Sequence, residues 1–143
     1  MSITLGQRSL SRLEGVHPDL VRVVKKAAAM SDLDFTVLEG LRTIERQREL
    51  MKQGATRTLN SRHITGHAVD IAPMIGGKVS WDWPLYHRLA DIVRSASVSE
   101  GVPIRWGGTW KLLTDIKGPI TAKVLSRSFP DGPHFELPRA AYP

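Results

Sequence analysis

Cysteine is absent from this chain. Its absence excludes disulfides, thiol nucleophiles, iron–sulfur clusters and the cysteine-built sites that hold most structural zinc. A zinc site here has to be made from histidine and carboxylate, the ligand set of catalytic zinc. Aromatic residues are scarce, at 6%, and no Lys/Arg run interleaves with them. The net charge of +6 and pI of about 10.1 therefore read as general attraction to polyanions such as acidic wall polymers, and no nucleic-acid partner is expected. No apolar run is long enough for a signal peptide or a membrane span, so no stable membrane insertion is expected and the protein is expected to begin in the cytosol. The HExxH pattern is missing, which excludes a thermolysin-type arrangement. What remains, residues 1–143, has the size of one domain able to bury a core without cross-links.

Periodicity divides the chain into alternating helices and strands. In "HPDLVRVVKKAAAMS", Leu20, Val23, Val24 and Ala27 share one helical face and Pro18 suits the first turn. "DFTVLEG" alternates as a short strand, and "RTIERQRELMKQG" reads as a helix capped by Thr43 and stopped by Gly54. "ATRTLNSRHITG" is polar and irregular, hence a loop. "HAVDIAP" is a strand, and "MIGGKVSW" turns back on Gly76-Gly77 as a hairpin. "DWPLYHRLADIVRSAS" is a second strong helix, with Asp82 near its cap and Leu85, Leu89, Ile92 and Val93 as its stripe. "VPIRWGG" and "PHFEL" are short strands, and residues 110–130 between them read as a long loop. Strands joined partly by hairpins point to an α+β fold: a small antiparallel sheet flanked by helices.

The chemistry concentrates in two segments. In "SRHITGHAVDIAP", Val69 and Ile71 belong to one strand face, so Asp70 points to the other and can reach a cleft; His63 precedes it by seven residues in the loop. In "FPDGPHFELP", His134 opens a strand and Asp131 stands three residues earlier on the Gly132-Pro133 turn. His63, Asp70 and His134 supply the three ligands that a catalytic zinc needs beside its open position, placing one zinc ion in a cleft on the sheet. Asp131 is the candidate general acid/base. His67 is left out, because a spacing of four at a strand entrance does not converge on one point. His17 reads as a capping or surface residue. Glu136 shares the face of His134; it is either a group that orients a ligand or an ordinary strand carboxylate.

These motifs resemble the zinc D-alanyl-D-alanine carboxypeptidases and their phage endolysin relatives. The first segment looks like that family's signature through Ser61, His63, Gly66, Ala68 and Asp70, and "DGPHFEL" is similar to its second signature. "EGLRTIERQRELMKQGATRT" and "RWGGTW" resemble it in the expected order, so the likeness runs from about Ser9 to Leu137. It is nearest to small single-domain endolysins that cleave the L-alanyl-D-glutamate bond of peptidoglycan. The resemblance implies zinc on His63, Asp70 and His134, Asp131 as catalytic acid/base, and Arg42 as a group that holds the substrate carbonyl or carboxylate and stabilises the oxyanion. It places Ser61 beside the ligands as a substrate contact or support. Trp106, with Trp110 across the two glycines, is assigned to the substrate cleft, against the alternative of core packing. The stretch between "GGTW" and "FPDGPHF" is longer than small endolysins lead one to expect, and Thr109 stands where a more polar or acidic residue is common. The stem peptide is the implied substrate. A holin is the implied partner for release from the host cytoplasm to the periplasm and wall, and a monomer without a separate wall-binding domain is expected. The alternatives are a D-alanyl-D-alanine carboxypeptidase, or a non-catalytic zinc module of the same fold.

Overall fold

The computed structural model describes residues 2–55 and 60–143; part of the loop expected in "ATRTLNSRHITG" lies outside the described residues. Among the described residues there are four α-helices: α1 (Gln7–Arg12), α2 (Pro18–Met30), α3 (Ile44–Lys52) and α4 (Trp83–Glu100). The strands are β1 (Phe35–Glu39), β2 (Ala68–Ile75), β3 (Lys78–Val79), β4 (Arg105–Trp106), β5 (Lys111–Leu112) and β6 (His134–Glu136). The expected α+β class with a small antiparallel sheet holds. Helix α1 has no counterpart in the sequence reading; it is too short to show a period. The stretch expected as an unbroken loop contains β5 and two single-turn helices, Leu113–Asp115 and Ala122–Val124.

Local chemistry explains the helix starts. His17 caps α2, its ring Nδ1 accepting from the Asp19 amide at 3.0 Å. The Thr43 hydroxyl accepts from the Arg46 amide at 3.1 Å and starts α3. Helix α4 runs from Asp82 as N-cap to a left-handed Gly101 at φ 66°. No helix among the described residues is long and apolar enough to cross a membrane.

The sheet order is β1-β2-β6-β4-β5, with β3 paired to β2 as a hairpin, and its pairings are antiparallel. The last strand of the chain is thus inserted at the centre, hydrogen-bonded to β2 on one side and β4 on the other. Registers split the sheet into two faces. Val37 pairs with Ile71, and Val69, Phe135 and Trp106 lie in one row across three strands. These side chains are buried in the core with α2 and α4, including Val23, Ala27, Leu89 and Val93. The opposite face carries two polar rows. Glu39, Asp70 and His134 form one; Ala68, Glu136 and Arg105 form the other. Glu39 reaches that face because a bulge separates it from Val37 in the β1–β2 register, and a bulge re-aims the side chains beyond it.

Candidate active site

The polar face floors a cleft of about 420 Å³, lined by Arg42, Ser61, His63, Asp70, Trp110, Asp131, His134 and Glu136 among others. His63 is 1% exposed and comes from the turn before β2. That turn is locked by Gly66, whose φ is 76° and where an added Cβ would lie 2.4 Å from the Gly15 carbonyl oxygen; only glycine suits both demands. The His63 Nδ1 lies 2.8 Å from the Gly40 carbonyl oxygen. A carbonyl can only accept, so Nδ1 carries the hydrogen and the Nε2 lone pair is left for the cleft. That Nε2 is 3.1 Å from Asp70 Oδ1.

His134 mirrors this arrangement with its nitrogens exchanged. Its Nε2 is 2.6 Å from Glu136 Oε1, and its Nδ1 is 3.4 Å from the same Asp70 Oδ1. One ligand atom each from His63, Asp70 and His134 can be chosen so that all lie within 4.8 Å of one another. Each histidine thus has one nitrogen committed outward, to a carbonyl or a carboxylate, and the other turned to a shared centre. Metal-binding imidazoles are held in this way, and two imidazole nitrogens with a carboxylate oxygen form a donor set suited to zinc. The residues present fit a metal ion. Glu136 is thereby placed as the group that orients His134.

Asp70, His134 and Glu136 are electrostatically coupled. Burial works against the charge on Asp70, but His63 and His134 outweigh it and hold its carboxyl far below the usual carboxylate range. Burial also opposes a charge on His134, yet its bonds to Asp70 and Glu136 push it up to about 9. Burial raises Glu136 as well, but His134 and Arg105 keep its carboxyl lowered.

Asp131 lies just before β6. Its backbone amide donates to the Gly107 carbonyl at 2.9 Å and its carbonyl accepts from the His134 amide at 3.3 Å. Burial raises the pKa of its carboxyl, and the Asp70 charge adds to the effect. A carboxylate with raised proton affinity in the same cleft as a metal-competent group is suited to accepting a proton and giving it up again. Arg42 is 8% exposed. Its guanidinium is fixed by Gln47 at 2.8 Å, Glu39 at 2.7 Å and Asp70 at 3.4 Å. Ser61 lines the cleft, and its hydroxyl accepts from the His63 amide at 3.2 Å, so it braces the ligand turn. His67 bonds Thr65 and is not among the metal-competent group.

Trp106 requires a correction. It is 0% exposed, its ring stacks on Phe135, and its indole N–H donates to the Gly132 carbonyl at 2.8 Å. It shares the apolar face of the sheet and cannot touch a substrate. The cleft wall is Trp110, whose ring centroid is 5.4 Å from that of His134. Glu39 and Arg105 are further cleft residues that sequence reasoning missed, and Gln47 is a buried support behind Arg42. The only available signal was Glu39 at a strand end three residues before Arg42.

Comparison with known proteins identifies the family. The family model of the phage L-alanyl-D-glutamate peptidase matches residues 1–138. This chain belongs to that family. It is 32% identical over 141 residues to the L-alanyl-D-glutamate peptidase of Escherichia phage T5, covering 96% of this chain and 99% of that protein. It is 30% identical over 105 residues to the peptidoglycan L-alanyl-D-glutamate endopeptidase CwlK of Bacillus subtilis, covering 64% and 63% of the two chains. The crystal structure of the L-Ala D-Glu endopeptidase ChiX of Serratia marcescens superposes with a TM-score of 0.80 at 44% identity, over 96% of this chain and 91% of that one. In this peptidase family member, the shared fold and the polar face of the sheet meet at one cleft.

Proposed function

We propose that this protein is a phage-type endolysin that uses one zinc ion to hydrolyse the L-alanyl-D-glutamate bond of peptidoglycan stem peptides. The observation that carries the zinc reading is the convergence of His63 Nε2, Asp70 Oδ1 and His134 Nδ1, with the outward nitrogens held by Gly40 and Glu136. When bound, zinc supplies Lewis acidity, polarising a carbonyl and bringing the pKa of water down to about 7. Asp131 takes the proton from the attacking water and passes it to the nitrogen of the leaving glutamyl residue. Water oxygen thus ends on the alanyl carbonyl carbon and its proton on the new amine. The raised proton affinity of Asp131 favours that second transfer. Arg42, fixed in place before substrate arrives, meets the charge that develops on the carbonyl oxygen. Ser61 keeps His63 aligned and borders the substrate. The presence of Asp131 beside the ligand set favours catalysis over a non-catalytic zinc module. The reading extends to a monomeric, single-domain enzyme that is held in the host cytoplasm and released to the wall by a holin.

The test is digestion of purified peptidoglycan with mass analysis of the released peptides. Peptides with a new D-glutamyl N-terminus, lost on chelation and restored by zinc, are expected. Loss of a terminal D-alanine alone would make the enzyme a carboxypeptidase. Peptides beginning with L-alanine would make it an amidase. Asp131→Asn is expected to keep zinc and lose about 10²–10⁴ in kcat.

A further inference from the structure

Two non-glycine residues among those described have left-handed backbones, Trp110 at φ 56° and Phe129 at φ 49°. Such conformations cost energy in bulky residues and cluster at functional sites. Both residues line the catalytic cleft, and the Trp110 indole N–H donates to the Phe129 carbonyl at 2.9 Å. Trp110 in turn carries Arg105. The Arg105 Nε donates to the Trp110 carbonyl at 3.0 Å, and its guanidinium carbon lies 5.1 Å from the indole centroid. Its Nη1 meets Glu136 Oε2 at 3.2 Å, while Glu136 gives its shorter bond, 2.6 Å, to His134. The Arg105 Nη2 has no partner among the described residues, and the side chain is 40% exposed. A guanidinium is therefore held on an aromatic face, two hydrogen bonds from a metal ligand, with one edge open to the cleft.

The other arginines of the cleft are committed differently. Arg42 is held by Glu39, Gln47 and Asp70 and is assigned above to the scissile carbonyl oxygen. Arg62 is 5% exposed and donates to the Leu137 and Tyr142 carbonyls. Arg139 sits exposed at the rim, bonded to the Asn60 carbonyl.

The substrate offers a matching group. An alanyl residue brings no charge to the acyl side of the scissile bond. A glutamyl residue joined through its nitrogen keeps two carboxyls, only one of which continues the chain. The other is an anion within a few bonds of the leaving nitrogen. We propose that Arg105, seated on Trp110, is the specificity residue that binds this free glutamyl carboxylate. The assignment rests on the L-alanyl-D-glutamate reading above. A planar guanidinium with an open N–H edge suits a carboxylate and not its neutral amide.

The experiment compares two synthetic stem peptides, identical except that the free glutamyl carboxyl is a carboxylate in one and a carboxamide in the other. Wild type is expected to favour the carboxylate by about tenfold to a hundredfold in kcat/KM, chiefly through KM, since the contact exists before and during reaction. Arg105→Gln should bring the two substrates within about threefold of each other, and Arg105→Lys should retain part of the preference. A common loss on both peptides reports the support that Arg105 gives Glu136, so the ratio is the deciding quantity. Wild-type indifference to the amide overturns the proposal, as does a ratio unchanged in Arg105→Gln. An Arg139→Gln variant that alone abolishes the ratio also overturns it. Cleavage of neither peptide by wild type, in a preparation that binds zinc, would sink the peptidase reading itself and this assignment with it.

Discussion

Glu136 is 4% exposed and bridges His134 and Arg105, so Glu136→Gln changes two equilibria of opposite sign. In the metal-free protein His134 is pushed up to about 9 from its ordinary 6.5 by bonds to Asp70 and Glu136, against the cost of burial. At pH 7 a metal ion must displace that proton, and a gap of two pH units lowers apparent affinity by about 100-fold. Wild-type affinity should therefore climb by about tenfold per pH unit and level off near the His134 value of about 9. Glutamine keeps the size and one acceptor but removes the charge. The intrinsic affinity, measured above the plateau, should drop by about tenfold to a hundredfold, as for other losses of a carboxylate behind a metal-binding imidazole. The proton competes less well too, because His134 moves back toward 6.5. The two effects offset one another near neutral pH, so the variant curve should flatten earlier, approach wild type near pH 7 and fall well below it at alkaline pH. Zinc competition against a chromophoric chelator, read from about pH 6 to 9.5, gives both curves. Curves that run parallel at every pH would refute the reasoning, because they would mean that Glu136 does not hold the His134 proton.

The chelated protein should have its own pH profile of stability. The folded-state pKa of His134 is raised, so its contribution is complete below 6.5 and disappears as pH rises through about 9. Asp70 is lowered, so its contribution is present above 3.8 and fades as pH falls below that value. Melting temperature of the chelated form should decline as pH rises from 6.5 to about 9, and zinc-loaded protein should not share that decline; identical profiles would contradict the charge cluster. Gly107→Ala would put a Cβ 2.4 Å from the Asp131 carbonyl oxygen and 2.9 Å from the His134 Cβ. It should destabilise by about 1–3 kcal/mol and displace the acid/base and a ligand together. Thermal melting and turnover check this, and wild-type values for both would contradict the packing argument.

The cleft-facing position of Asp70 was legible because local rules sufficed. Alternation along "HAVDIAP" turned Asp70 away from Val69 and Ile71, and the structure keeps that parity. Thr43 and Gly54 bounded α3, and Gly76-Gly77 closed the β2–β3 hairpin, since capping and turn chemistry act within a few residues. Trp106 was misplaced because β4 has only two residues, too few for alternation to reveal which one faces the helices. Pairing with β6 decided it: Trp106 joins Phe135 on the apolar face, and Arg105 joins Glu136 on the polar one. Glu136 stayed ambiguous for the same reason. Its position two residues after His134 implied a shared face, but the 2.6 Å bond depends on side-chain rotamers.

The sequence by itself determined the chemistry available: no thiols, histidines and carboxylates as the metal-competent side chains, Asp131 three residues before His134, and strand and helix patterns set by contacts between near neighbours. Only the tertiary structure decided which of these groups meet. That decision came from inserting the last strand between β2 and β4, which pairs Asp70 with His134 across 64 positions of chain. Such long-range pairing is settled by burying Val69, Phe135 and Trp106 in one row against the helices, and a one-residue shift in the register of β6 would have turned His134 away from the polar face.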